Sequence, residues 1–535
     1  MNMRWRITLG VVAVVMVFLA VTAVVLPHEP VSEGRRLSAW LRDLDVSRGT
    51  GINVQFPARQ AVKQMGTNAL PFLLRMLKSQ DPEWKSQSVT WLQDTCDLDL
   101  SGSLAEAQRR RALRGFQALG RAAEPAIPEL RALVFGADNL VALQALEALR
   151  GIGGPQVLPV LFEALNLTNP PLRAEAIAAL GSARSRAHAA VPQLLKELES
   201  PDHLTRTQAA QALGEIATHP ELTVPALTRC LADPETGVKT AAAVALGSFG
   251  TQASSALPAL RTLAESPMNE IQRFARVAVV RVQCEMREGA VIRGPRDQRR
   301  LALVFTAHEY AEGAENILNE LARHDAQASF FLTGTFLTNA HFSSLLDRLQ
   351  YERHYLGPHS DQHLLYCDWD QARTLLVTEE EFHADLAANV AKIPGGWSEG
   401  RRFSRYFLPP YEHYNRDIAD WTRAHGWVLI NFTPGTRSNA DYTGEADKNF
   451  VSSQKIFDSI IARERDDPAG LNGFLLLLHL GAGPGRADKF HTRFGELLDY
   501  LALRGYEFVR VDELLRPPRD PNFPSGFRPP GRSKG

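Results

Sequence analysis

Apolar and polar positions along the chain fall into three regimes. From Ile7 to Leu26 no charge interrupts a run of twenty mostly aliphatic residues, which as a helix would rise about 30 Å, the depth of a bilayer core. From residue 56 to 283, small apolar residues recur at helical spacing and the pattern repeats. From Arg300 to Leu515, short apolar runs alternate with amphipathic stretches.

The middle regime has a period. Prolines at 128, 159, 192, 225 and 258 are 31, 33, 33 and 33 residues apart, and glycines at 120, 151, 181, 214 and 247 keep nearly the same step. Each glycine follows an alanine-rich stretch such as "IAALG" or "AVALG", and each proline opens a pattern such as "PQLLKEL". The spacing predicts two short helices per unit, glycine ending the first and proline starting the second. No unit can bury its apolar stripe alone, so the units must stack into an α-solenoid. These units resemble the HEAT-repeat family, which implies a protein-binding face or a rigid spacer.

In the last regime, "LALVFTA", "ASFFLTG", "YLGPH", "RYFLPPY", "WVLINFT", "GFLLLLHL" and "YEFVRV" read as strands, separated by helices such as "AENILNELARH". Strands alternating with helices imply parallel pairing, and seven of them suggest a distorted (β/α) barrel whose chemistry lies at the C-terminal strand ends. Those ends carry His308 and Glu309, His359 and His363, Glu412, Arg437 and Asp441, and His479.

Charge and cysteine content narrow the partners. The formal net charge of −1 gives no domain-scale basic excess, so nucleic acid is not expected. Four scattered cysteines without a CxxC pair exclude a dense disulfide framework and a cysteine zinc site. Arg4 and Arg6 precede the Ile7–Leu26 run, so the positive-inside rule leaves a short cytoplasmic N-terminus and places the bulk extracytoplasmic. That bulk hangs on a single-pass transmembrane helix, or follows a cleaved signal peptide. The expected limits are an anchor over 1–27, a linker over 28–55, the solenoid over 56–285 and a Gly/Pro/Arg linker over 286–299. The barrel follows over 300–515, with a disordered tail over 516–535.

The sharpest local signal is "HSDQH", in which His359 and His363 are four apart. Two neutral imidazoles plus one carboxylate from another strand make a metal centre with open positions for water and substrate. This segment, with "LALVFTAHEY…ASFFLTG", "YFLPPYEHYN" and "LLLLHL", resembles the NodB-type polysaccharide deacetylases, carbohydrate esterase family 4, over residues 300 to 515. The resemblance implies a hydrolase that removes acetyl groups from a cell-envelope or exterior polysaccharide with a divalent metal, zinc or another first-row ion. It makes His479 the acid that protonates the leaving group, and gives the backbone beside Tyr411 a part in holding the oxyanion.

The chain also departs from that pattern. Where the family has two aspartates, one the base and one a metal ligand, this sequence has Thr306 and Ala307, and the arginine before Pro-Pro-Tyr is Leu408. Glu309 is then the candidate carboxylate beside His359 and His363, with His308 as fourth ligand or base. Glu412 and Asp441 are further candidate bases, and Arg437 and Asp488 candidate partners of His479. The alternatives are a lapsed carbohydrate-binding domain or a membrane-anchored scaffold whose business is the solenoid.

Overall fold

The computed structural model describes residues 29–45, 52–80, 104–394 and 405–516. The expected anchor Ile7–Leu26 and the tail from 517 onward lie outside them. Among the described residues no helix is long and apolar enough to cross a membrane. The chain divides after Ile216 into two compact units.

The first unit is built of helices. Residues 29–45, expected within a linker, instead form an antiparallel ribbon, Val31–Ser32 with Arg35–Arg36, and the helix Leu37–Asp45. Leu37, Trp40, Leu41 and Leu44 fall on one face of that helix and are buried, a short amphipathic stripe outside the repeat period. In the repeats, Pro128, Pro159 and Pro192 each occupy the second residue of a helix, Ile127–Val134, Leu158–Ala164 and Val191–Glu197, where a missing N–H costs nothing.

Gly120 (φ 51°) follows the end of the helix Leu104–Leu119 and Gly247 closes Thr236–Gly247, as expected, but the other glycines do a different job. Gly151 and Gly181 lie inside the last turns of Asn139–Ile152 and Pro170–Ser182 rather than ending them. A Cβ on Gly181 would sit 3.0 Å from the Cα of Ala212 and 2.8 Å from Glu215 Oε2, so the glycine lets the next helix close in. The basic run Arg109, Arg110 and Arg111 is spent internally. The Arg109 guanidinium donates to the Ser79 carbonyl at 2.7 Å, and Asp45 pairs with Arg110 at 2.8 Å and Arg111 at 3.4 Å.

The second unit opens with four more repeat helices, Pro220–Cys230, Thr236–Gly247, Leu257–Ala264 and Asn269–Gln283. Pro258 again takes the second position, whereas Pro225 falls mid-helix because Pro220 already occupies the first turn. Residues 286–299, expected as a linker, contain most of a hairpin, Glu285–Arg287 with Ala290–Arg293, and Val291 bridges Ile430. Val280, Cys284 and Val291 share one buried cluster with Ala302, Val304, Leu475 and Leu477, so the last repeat helix is welded to the sheet. The fully buried Arg293 locks this junction, pairing with Asp467 at 2.9 Å and donating to the carbonyls of Asn472 and Gly470.

All seven expected strands form, short and parallel. Leu475–His479, Arg300–Ala307, Ser329–Leu332 and Tyr355–Pro358 lie side by side in that order. Ala302 pairs with both Leu475 and Val509, while Val304 pairs with both Leu477 and Ser329. The strands Glu507–Val509 and Ser329–Leu332 therefore share one edge of the opening strand. Tyr406–Phe407 and Val428–Leu429 form a separate parallel pair. The expected seven-stranded barrel is thus a sheet of five and a pair. The pair is only two residues long because the Leu408 N–H turns to the Pro358 carbonyl and Pro409 and Pro410, next in the chain, cannot donate to a ladder. Alternate residues of the opening strand bury opposite ways, Leu301, Leu303 and Phe305 into one core and Ala302 and Val304 into the other.

Candidate functional site

Parallel strands end on one edge of their sheet, and side chains just past those ends are the ones a site can use. His308 follows the opening strand, Thr333 follows Ser329–Leu332, His359 follows Tyr355–Pro358, and His479 closes its own strand.

His359 is buried and doubly held. Its N–H donates to Asn389 Oδ1 at 2.8 Å, and its ring Nδ1 lies 2.9 Å from the Leu408 carbonyl, which can only accept. The proton is therefore on Nδ1, and Nε2 keeps a free lone pair. The rest of "HSDQH" is clamped by the helix Glu379–Lys392. Asp385 accepts from the N–H groups of Asp361 and Gln362 at 3.1 Å each and from the Tyr366 hydroxyl at 2.6 Å, while Lys392 pairs with Asp361 at 2.7 Å. Asp385, Asn389 and Lys392 recur at helical spacing on one face. That polar stripe was the signal available in the sequence, and it was missed.

Backbone strain gathers at the same place. Ser360 (φ 72°), His363 (φ 55°), Tyr411 (φ 57°) and Glu412 (φ 53°) all adopt left-handed conformations that non-glycine residues avoid. The Glu412 carbonyl is pinned by Asn431 Nδ2 at 2.7 Å, which helps hold that turn.

The imidazoles cluster. The ring of His363 stacks on that of His308 with centroids 4.6 Å apart, and lies 5.3 Å from His359 and 4.4 Å from the Tyr411 ring. Burial, then the neighbouring His308 and His479, pushes His363 down to about 4. Burial and the same imidazole neighbourhood hold His359 well below its ordinary value. Both are neutral at pH 7.

His479 is the opposite case. Burial alone would lower it, but Asp441 Oδ1 lies 2.6 Å from its Nδ1 and lifts it above the ordinary histidine value. Asp441 Oδ2 also accepts the His479 backbone N–H at 2.9 Å. Asp441 therefore holds His479, and the two residues expected in that position lie elsewhere. Arg437 is exposed, its N–H donating to Ser459, and Asp488 accepts the Ser453 N–H at the start of the helix Ser453–Asp466. The residue that joins the two loops is the fully buried Arg486. It donates to the carbonyls of Thr443, Val451 and Asp488 at 2.8, 2.9 and 2.6 Å, and so ties the segment after Asp441 to the segment after His479.

Glu412 is half-buried, and burial raises its carboxyl to about 7, with His479 pulling it down and Asp441 pushing it up. It therefore sits within the electrostatic reach of the His479–Asp441 pair.

Glu309 is not gathered in with them. Its side chain is 60% exposed and its nearest imidazole contact is His308 Nε2 at 3.8 Å, while His308 Nδ1 lies 3.1 Å from Thr333 Oγ1. Among the described residues no three His, Cys, Asp or Glu side chains are disposed to hold a metal. His308 and His363 meet face to face, only 14° from parallel, whereas metal-binding lone pairs lie in the ring planes and must converge. The residues in place thus do not fit the expected two-histidine, one-carboxylate set. At the position of the resembled family's base, the Thr306 hydroxyl is buried with no hydrogen-bond partner, and Ala307 carries no donor at all.

Comparison with known proteins matches residues 100–181, 158–237 and 191–280 to the HEAT-repeat family model, and residues 293–430 to the polysaccharide deacetylase family model. The chain therefore carries HEAT repeats followed by a polysaccharide deacetylase domain. A peptidoglycan-N-acetylglucosamine deacetylase of Bacillus cereus is 23% identical over 226 residues, 42% of this chain and 70% of that protein. One of Listeria monocytogenes is 23% identical over 219 residues, 40% of this chain and only 39% of that protein. Among solved structures, a family 4 carbohydrate esterase of Bacillus subtilis is 19% identical over 43% of this chain and 85% of that one, with a TM-score of 0.33. A family 4 pseudoenzyme from Bacillus anthracis is 16% identical over 43% of this chain and 70% of that one, also with a TM-score of 0.33.

Proposed function

We propose that the domain is a carbon–nitrogen hydrolase that removes N-acetyl groups from a polysaccharide outside the cytoplasm, with the HEAT repeats as a protein-binding or spacer module. One observation carries this reading. An imidazole lifted by Asp441 and a carboxyl raised to about 7 lie within electrostatic reach of each other, beside two neutral imidazoles. The N-acetyl sugar class is suggested by the relatives named as peptidoglycan-N-acetylglucosamine deacetylases. The extracytoplasmic placement rests on Arg4 and Arg6 ahead of Ile7–Leu26.

In this reading Glu412 takes a proton from water as its oxygen attacks the acetyl carbon. His479 protonates the amine nitrogen as the carbon–nitrogen bond breaks, releasing acetate and a free amine. Asp441 keeps His479 charged and oriented for that transfer, and Arg486 keeps the loops of Asp441 and His479 in register. The backbone of the Tyr411 turn is the candidate oxyanion donor. His359 and His363 offer a divalent ion, zinc or another first-row metal, two neutral nitrogens. With Glu309 out of position, no step here passes through one.

The test is acetate release from N-acetylglucosamine oligomers. His479→Ala is expected to lower kcat by about 10²–10⁴-fold while leaving oligosaccharide binding in place. Wild-type protein that releases no acetate with any divalent metal supplied would sink the hydrolase reading. The second reading, a lapsed carbohydrate-binding domain, is favoured by Thr306 and Ala307 and by the dispersed carboxylate, and it predicts binding without acetate.

A further inference from the structure

The segment after "HSDQH" makes a small, tightly tied hairpin. Cys367 bridges Leu375, and the Asp368 N–H donates to the Thr374 carbonyl at 2.8 Å. Asp370 accepts from the Thr374 N–H and hydroxyl at 2.9 and 2.8 Å. Arg373 ties the hairpin to the strand-end turn through the Tyr414 carbonyl at 2.9 Å, and Asn415 answers through the Arg373 carbonyl at 2.8 Å. At its tip stands Trp369, 62% exposed.

An exposed indole alone is ordinary; this one is set apart by how it is held. One face is backed by the His413 imidazole, with centroids 4.0 Å apart and planes within 27°, and His413 Nε2 is fixed by the Asp368 carbonyl at 2.8 Å. With the side chain 62% exposed, most of the surface that His413 leaves uncovered faces solvent. Trp369 meets Tyr411 edge to face at 6.4 Å, and Tyr411, itself 45% exposed, lies 4.4 Å from His363. A continuous aromatic path therefore runs from the histidine cluster out to a rigid, one-sided platform, and the residues beside the indole, Asp368, Asp370 and Gln371, are polar and exposed.

We propose that Trp369, backed by His413, is a sugar-binding platform that stacks a pyranose ring of the polysaccharide chain next to the unit held at the histidine cluster. The C–H face of a pyranose is flat, neutral and of indole size. Its hydroxyl rim suits a polar surround that an apolar protein patch would not. This inference rests on the deacetylase reading for the polymer it names, but it concerns binding and not turnover.

The experiment is calorimetric titration of the full chain with N-acetylglucosamine oligomers of one to six units, for wild type, Trp369→Ala and Trp369→Phe. Hydrolysis of 4-nitrophenyl acetate is followed alongside as a report on the catalytic groups alone. Expected is an affinity that rises with oligomer length in the wild type. Trp369→Ala should bind the hexamer about 3- to 10-fold more weakly, Trp369→Phe should recover part of that loss, and monomer affinity should not change. Equal hexamer affinity in wild type and Trp369→Ala, an equal loss for the monomer, or no oligomer binding by the wild type would overturn the platform. Oligomer binding that depends on Trp369 without acetate release would uphold it while ending the hydrolase reading. Acetate release with Trp369-independent binding would do the reverse.

Discussion

Two glutamates, one in the repeats and one at the strand ends, carry the same perturbation for different reasons. Burial raises both Glu175 and Glu412 to about 7. Glu175 sits in the helix Pro170–Ser182, 3.1 Å from Arg150, with ordinary helical backbone around it. Glu412 sits in a left-handed turn beside the His479–Asp441 pair and the histidine cluster. A shifted carboxyl therefore does not by itself mark a site. What distinguishes the two is company: strained backbone, a second titrating group of opposite habit, and an open strand-end edge.

The most severe way to break this comparison is to neutralise each carboxyl in turn. Glu412→Gln is expected to lower acetate release by about 10²–10⁴-fold and to remove the acidic limb of the pH profile, whereas Glu175→Gln leaves turnover unchanged. In the wild type, turnover needs Glu412 without its proton, which burial sets at about 7, and His479 with its own, which Asp441 holds above the ordinary histidine value, so the pH profile should be a bell. These limbs belong to the coupled pair rather than to either residue. Equal effects of the two substitutions on turnover would erase the distinction.

Next in size is stability. The folded-state value for Glu175 lies above its unfolded value of 4.5, so the folded chain binds more protons between 4.5 and about 7. Stability should fall as pH rises across that window, by at most about 3 kcal/mol, and level off above it. Urea unfolding of Glu175→Gln at pH 5 and pH 8 should show this slope flattened. A slope identical to wild type would mean the carboxyl is solvated. Smaller still is Gly181→Val, which drives a side chain into Ala212 and is expected to cost about 1–3 kcal/mol in the same assay without altering acetate release.

The two regions also differ in how much of each was legible. Proline placement in the solenoid followed from local chemistry, because the missing N–H is harmless only in a first turn, and Pro128, Pro159, Pro192 and Pro258 obey it. The glycine rule held at Gly120 and Gly247 but failed at Gly181, whose role is set by a neighbour 31 residues away, Ala212, which no local rule sees. The strand runs were legible from their apolar content, but the hairpin at Glu285–Arg293 was hidden behind Gly289 and Gly294, which read as linker. At the site, chain order could place His359, His363, His308 and His479 at strand ends. It could not tell that Asp441 would hold His479, that Arg437 and Asp488 would point elsewhere, or that Glu309 would stay in solvent. Those outcomes depend on loop paths, and loop paths depend on buried residues such as Arg486 whose partners are mostly backbone carbonyls.

The weld between the last repeat helix and the sheet fixes where the chain can be cut. A fragment starting at Arg300 would strip Val280, Cys284 and Val291 from the cluster they share with Ala302 and Leu477, and would leave Asp467 without Arg293. A self-sufficient piece of this domain therefore has to include the last repeat helix, Asn269–Gln283, and the hairpin Glu285–Arg293. That helix is part of the sheet's core as much as of the solenoid, so the two share a component rather than a hinge.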